Sequence, residues 1–188
     1  NDDRGSSISS QEIQQMQRAQ PKDDPTPTGN ENGGGGAAAV GGQPGSLEGT
    51  NVLAANTDER QLPNQNIIDA LDRAASERGI QVQITPNGGR ASRDTGTDNH
   101  PPGEAADIQI VQGGRVIRPG DNRGLYDDLI QTLVTNAARR GVRPGIGGYS
   151  WGIHYDESSW RQGGNDIAGT WGSSFIQTGI DAARQGLA

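Results

Sequence analysis

The chain of 188 residues has no cysteine, one methionine, one phenylalanine and a single lysine, Lys22. Without cysteine it can build no disulfide framework, no thiolate metal site and no cysteine nucleophile, and its redox compartment stays open. Aromatic residues make up 4% and apolar residues 30%, too lean for two packed domains and in keeping with one domain plus a tail. No stretch approaches the roughly 18 apolar residues of a membrane span, which excludes membrane insertion. Basic residues are the minority, 16 against 23 acidic, for a formal charge of -7. A nonspecific nucleic-acid binder needs a basic patch to neutralise phosphates, so nucleic acid is not an expected partner. The chain opens on Asn1 without a charged start and apolar signal core, which reads as an excised fragment or a processed product.

Glycine is abundant, with 30 residues, and it is unevenly spread. Residues 1–50 hold 3 basic and 7 acidic residues, and nine Gly and four Pro fall between Pro21 and Thr50. Such a composition cannot offset the entropy of folding, so 21–50 reads as a flexible linker. Ahead of it, Ser9 and Glu12 form a capping-box pattern that opens a short polar helix through about Ala19, within an arm of residues 1–20. That arm is either a frayed tail or a peg that docks onto a larger assembly. The remaining residues, 51–188, are expected to fold.

Within them Ile67, Ile68, Leu71, Ala74 and Ala75 share one face of a helix that Gly79 ends in the left-handed conformation. Ile80, Val82 and Ile84 alternate with glutamines as in a half-buried strand. A second strand is expected near Ala106–Gln112, with a Gly113-Gly114 turn returning through Val116 and Ile117. Leu125, Leu129, Ile130, Leu133, Val134 and Ala137 mark the longest amphipathic helix, closed at Gly141. A Gly-interrupted strand follows from about Ile146 to Tyr155, and a last helix from about Ser174 to Arg184. Strands that hairpins can connect, with helices before and between them, predict an α+β domain with a small antiparallel sheet rather than a doubly wound parallel one.

The 2 histidines each stand beside an acidic residue in a turn-prone setting. His100 begins His-Pro-Pro-Gly-Glu-Ala-Ala-Asp, whose final Asp107 opens a strand. Imidazole and carboxylate both suit zinc, and a loop ligand followed by a strand ligand can converge on one ion. His154, on a neighbouring strand, would supply a third ligand and leave the fourth position to water. On spacing alone, solvated loop residues remain the alternative. Asp156 is the acidic residue nearest His154, and residues two apart in a strand share a face. It could take a proton from metal-activated water as general base, or it could orient His154 from behind; both readings stay open. Glu157 should point the other way, into solvent.

The pattern H-x-x-G-x-A-x-D, filled by His100, Gly103, Ala105 and Asp107, resembles the first zinc motif of the M15 peptidases, the D-alanyl-D-alanine peptidase and phage endolysin group. The segment Gly147–Asp156 with Trp160 and Arg161 looks like the branch of that family with a Gly-Tyr approach and a His-x-Asp. Together with Thr85–Arg90, similar to the family's S-G-x-R strand end, the likeness spans about half the chain. It implies a Hedgehog/D-alanyl-D-alanine-peptidase type of α+β fold. It also implies Zn2+ on His100, Asp107 and His154, and an Arg90 that polarises the scissile carbonyl and holds the oxyanion; Arg93 is the alternative. Two positions depart from the pattern: Asp98 replaces the usual Ser two before the first His, and Trp151 stands where many relatives carry an acidic base.

Six of the seven aromatic residues, Tyr149, Trp151, Tyr155, Trp160, Trp171 and Phe175, lie between 149 and 175. They can stack on sugars or peptide side chains or simply fill a small core. Tyr149, Trp151 and Tyr155 are the candidate substrate-binding residues. The resemblance implies a zinc-dependent peptidase acting on stem peptides of bacterial peptidoglycan. A virion- or phage-tail-associated hydrolase, tethered to other virion or tail proteins through the N-terminal arm, is the expected setting, with an extracellular or periplasmic place at the cell wall as the other. A non-catalytic, metal-containing wall-binding module is the second expectation, and a metal-free structural virion protein the third.

Overall fold

A computed structural model describes residues 43–55, 59–90, 100, 102–157 and 167–188. The predicted arm, most of the predicted linker, Arg93, Asp98, Trp160 and Arg161 lie outside the described residues. The described part is a mixed α+β structure whose sheet has seven strands and is mostly antiparallel. In chain order they are β1 (Val52–Ala54), β2 (Gln81–Ile84), β3 (Ala105–Gln112), β4 (Arg115–Ile117), β5 (Gly145–Tyr149), β6 (Gly152–Asp156) and β7 (Gly169–Gly172). Their spatial order is β1-β2-β3-β6-β5-β7, and β4 pairs with β3. Because Ile110 pairs with both Val82 and Ile117, and Ile108 with both Ile84 and Ile153, β4 and β6 share the edge of β3 that β2 does not occupy.

Three helices accompany the sheet among the described residues: α1 (Gln65–Arg78), α2 (Arg123–Arg139) and α3 (Gln177–Leu187). Helix α1 buries Ile67, Ile68, Leu71, Ala74 and Ala75, and Gly79 at φ 63° ends it, with the Ile80 N–H reaching back to the Ala75 carbonyl. The Asn122 side chain caps α2 by accepting from Leu125 N–H, and the chain leaves through Gly141 at φ 72°. Helices α2 and α3 approach closely at Gly179, where a Cβ would lie 2.6 Å from the Asp127 carbonyl oxygen.

Residues directly opposite in neighbouring strands share a face, and successive residues alternate. One face therefore carries Val82, Ile84, Ile108, Ile110, Ile146, Ile153 and Tyr155, which join the apolar faces of the helices in the core. The other face carries Asp107, Gln109, Gly147, Tyr149, His154 and Asp156. Alternation thus separates the packing residues from the polar ones within the same two central strands.

Several expectations need correction. The Ile146–Tyr155 strand is a hairpin of two, β5 and β6, turned at Ser150-Trp151. Strands β1 and β7 were not foreseen, and both pair in parallel, β1 with β2 and β7 with β5. The β1–α1–β2 connection is a crossover, which a reading based on hairpins does not generate. The folded part also begins before residue 51: Gly45 N–H donates to the Pro63 carbonyl at 2.8 Å, Pro44 bridges to Asn64, and Leu47 packs on the core. No helix among the described residues is long and apolar enough to cross a membrane.

Candidate metal centre

Asp107 on β3 and His154 on β6 are direct partners in an antiparallel pair, and Gly147 on β5 is the next residue in the same row. His100 reaches the row from the segment before β3. All three candidate ligands are buried, with 2% of His100, 1% of Asp107 and 8% of His154 exposed. His154 Nδ1 lies 2.9 Å from Asp107 Oδ1 and 3.2 Å from His100 Nε2, and His100 Nε2 lies 3.5 Å from Asp107 Oδ1. Ligands at about 2.0–2.2 Å in a tetrahedron stand about 3.4 Å apart, so the three atoms have the mutual spacing of three corners of a zinc polyhedron.

The outer hydrogen bonds determine which nitrogens face inward. His100 Nδ1 is 2.7 Å from the Gly89 carbonyl, which can only accept, so Nδ1 carries the hydrogen and Nε2 presents its lone pair to the cluster. His154 Nε2 is 3.2 Å from Asp156 Oδ2, so the hydrogen shared there leaves Nδ1 as the inward atom. Each histidine has the outer acceptor that metal-binding imidazoles use, a backbone carbonyl in one case and a carboxylate in the other. The site can therefore hold a metal ion, and the donor set of two imidazoles and one carboxylate fits zinc.

Without a cation the same atoms collect a proton. Burial by itself would lower the His154 pKa, but hydrogen bonds to Asp107 and then Asp156 outweigh it and lift the imidazole from 6.5 to about 9. Burial would raise Asp107, yet its interactions with His100 and the hydrogen bonds of His154 hold the carboxyl well below its usual range. Two buried carboxylates next to one imidazole favour positive charge between them, and a divalent ion supplies it as well as a proton does.

Asp156, fully buried, sits behind His154 at the ring nitrogen remote from the cluster. Of its two sequence readings, this is the geometry of a residue that orients a ligand. No other carboxylate or imidazole of the described residues joins the three ligand atoms. Arg90 turns Nε to the Leu62 carbonyl at 2.7 Å and a terminal nitrogen to the Asn64 side chain. The loop before it packs on the ligand strand, since Asp107 N–H donates to Gly88 O at 2.8 Å and Thr85 N–H to Asp107 O at 2.9 Å. A Cβ on Gly88 would overlap that backbone, and one on Gly89 would overlap the Gln61 carbonyl.

Among the candidate substrate residues, Tyr149 and Trp151 stack with rings 4.9 Å apart and 5° from parallel, and Gln109 donates to the Trp151 carbonyl at 2.9 Å. Tyr155 does not belong with them. It points to the opposite face, where burial pushes its phenol well above the usual range and its hydroxyl donates to Glu157. Glu157 also points away from the cluster, as expected. It is not solvated, because its side chain is 6% exposed and pairs with Arg140 at the end of α2.

Sequence reading passed over Trp171 as a part of the site. It pairs with Gly147, so Asp107, His154, Gly147 and Trp171 form one row across four strands. The indole occupies the space a Gly147 side chain would take, with ring atoms 2.6 Å from a built Cβ. Its centroid is 5.0 Å from that of His154, and its N–H donates to Tyr149 Oη at 2.9 Å. The clustering of aromatics was visible, but membership of this row depends on the unforeseen strand β7.

Comparison of the chain with family models, with curated proteins and with solved structures finds no match in any of the three.

Proposed function

We propose that the chain is a zinc-dependent peptidase acting on peptide bonds of bacterial peptidoglycan. The observation that carries the reading is the convergence of His100 Nε2, Asp107 Oδ1 and His154 Nδ1, each pair within 2.9–3.5 Å, on residues that also fill the H-x-x-G-x-A-x-D pattern. Those three atoms would hold the ion. Bound zinc supplies Lewis acidity, which activates water and polarises a peptide carbonyl.

The protein's own groups orient the ligands and line the site. The Gly89 carbonyl fixes the tautomer of His100, and Asp156 fixes that of His154. Trp171 and Tyr149 form an aromatic wall beside His154, suited to the apolar part of a stem peptide or the face of a sugar. The Gly- and Pro-rich sequence that runs from Pro21 up to the folded part suits a tether, and a phage virion or tail at the cell wall is the setting we propose.

The second reading is a non-catalytic, metal-containing wall-binding module. Two observations favour it: Asp156 stands behind a ligand, and Trp151 occupies the position where the family resemblance leads one to expect an acidic base. Mass spectrometry of soluble fragments released from purified peptidoglycan, with and without a chelator, separates the two. Chelator-sensitive release establishes the peptidase, and the fragment masses name the bond. Stoichiometric zinc without release from several wall types establishes the binding module.

A further inference from the structure

Of the three candidate ligands, His100 alone lies outside the strands, so something else must hold it at the spacing of an ion. Its ring is held by the Gly89 carbonyl at 2.7 Å. Its backbone begins a turn in which Gly103 N–H donates to the His100 carbonyl at 2.9 Å. The two anchors come from chain segments joined at one place. Next to Gly89, Arg90 donates its N–H to the Gln61 carbonyl at 2.7 Å, its Nε to the Leu62 carbonyl at 2.7 Å, and a terminal nitrogen to Asn64 Oδ1. Asn64 in turn holds the far side of the turn, with Nδ2 on the Pro102 carbonyl at 3.1 Å and its own N–H on the Gly103 carbonyl at 2.8 Å. Gly103 takes φ 83°, and a Cβ there would lie 2.6 Å from an Arg90 terminal nitrogen and 2.7 Å from its Cζ, so the guanidinium packs directly on the turn.

We propose that Arg90 and Asn64 are positioning residues that form a latch on His100, closing a ring from Gly89 through Arg90, Asn64 and the Pro102-Gly103 turn back to the histidine. In this account Arg90 acts on the metal through His100, in place of the oxyanion role that the family resemblance implies. The inference rests on the metal-site reading above. Two of the five Arg90 side-chain N–H bonds go to the scaffold around the ligand, which is what a positioning residue requires.

The test is zinc affinity, measured on the full chain by competition with a chromophoric chelator, for wild type, Arg90→Ala, Asn64→Ala and the double variant. The visible spectrum of the cobalt-loaded forms is recorded in parallel. The latch predicts that each single variant loses about 10- to 100-fold in zinc affinity and shifts the cobalt spectrum. It also predicts that the double variant loses little more than the worse single one, because the two side chains act as one unit. Zinc affinity within about twofold of wild type in both single variants overturns the latch, and so do fully additive losses. If Arg90→Ala does not fold, Asn64→Ala decides alone: a loss of about 10- to 100-fold with a shifted cobalt spectrum supports the latch, and zinc affinity within about twofold of wild type overturns it. A wild-type chain that takes up no zinc overturns the metal-site reading and the latch together, whereas a zinc-binding wild type with indifferent variants overturns the latch only.

Discussion

Replacing Asp156 by Asn keeps the shape of the side chain and removes its charge from behind His154. The carboxylate is fully buried and 3.2 Å from Nε2, so water does not take its place. An asparagine oxygen can still accept from Nε2–H, but more weakly. Its NH2 can also face the ring, which moves the hydrogen to Nδ1, where a ligand must have none. Changes of this kind behind metal ligands lower affinity about 10- to 100-fold, or about 1.4–2.7 kcal/mol. A second effect opposes it. With a pKa raised to about 9, His154 must lose a proton to bind an ion at neutral pH, and the variant, lacking one of the raising carboxylates, loses it more readily. Apparent zinc affinity of the wild type should therefore climb steeply between pH 7 and 9, about tenfold per unit for one proton released, and that of Asp156→Asn should climb less. Competition titrations at pH 7.0 and 8.5 read both effects, with the larger deficit expected at pH 8.5. Equal zinc affinity at both pH values, combined with loss of peptide cleavage, would refute the orienting role and return Asp156 to the position of general base.

Other perturbations read separate parts of the structure. The metal-free protein should lose stability as pH rises from about 6.5 through 9, because the folded-state pKa of His154 is raised and its contribution is complete only below the unfolded value; thermal melts with chelator check this, and zinc should abolish the trend. Gly147→Ala puts a methyl 2.6 Å from the Trp171 ring, so the indole must shift; tryptophan fluorescence should change and KM for a wall peptide should rise, with kcat changed less. Glu157→Gln should cost about 1–3 kcal/mol in denaturant unfolding, since it breaks an ion pair whose acidic side is 6% exposed and weakens the partner of the Tyr155 hydroxyl.

The parts legible in the sequence were those with a local period. The apolar face of α1 with its Gly79 stop, the alternation of Val82 and Ile84, the Gly113-Gly114 turn and the face of α2 all follow from spacing within a dozen residues, and all are present. What was missed is non-local. β1 is three residues long and pairs in parallel across α1, and β7 pairs with β5 over a long chain separation, so neither has a pattern of its own. The same limit explains the site. His100, Asp107 and His154 could be singled out by type, and they do converge. The choice between two roles for Asp156 needed the direction of the His154 ring. The burial of Tyr155 follows from strand alternation: if His154 and Asp156 face the cluster, the residue between them faces the helices. Asn64 carries no signal as a residue of the site, because its bonds run to Arg90, Pro102 and Gly103 far along the chain.

The central claim is a zinc ion on these three side chains, and a crystal structure of the zinc-loaded chain with anomalous data at the zinc edge tests it most directly. The account predicts one anomalous peak within about 2.0–2.2 Å of His100 Nε2, Asp107 Oδ1 and His154 Nδ1, with Asp156 and the Gly89 carbonyl still on the outer nitrogens. A peak elsewhere, a peak on the opposite ring nitrogens, or no zinc bound by the full chain at stoichiometric concentration would contradict it.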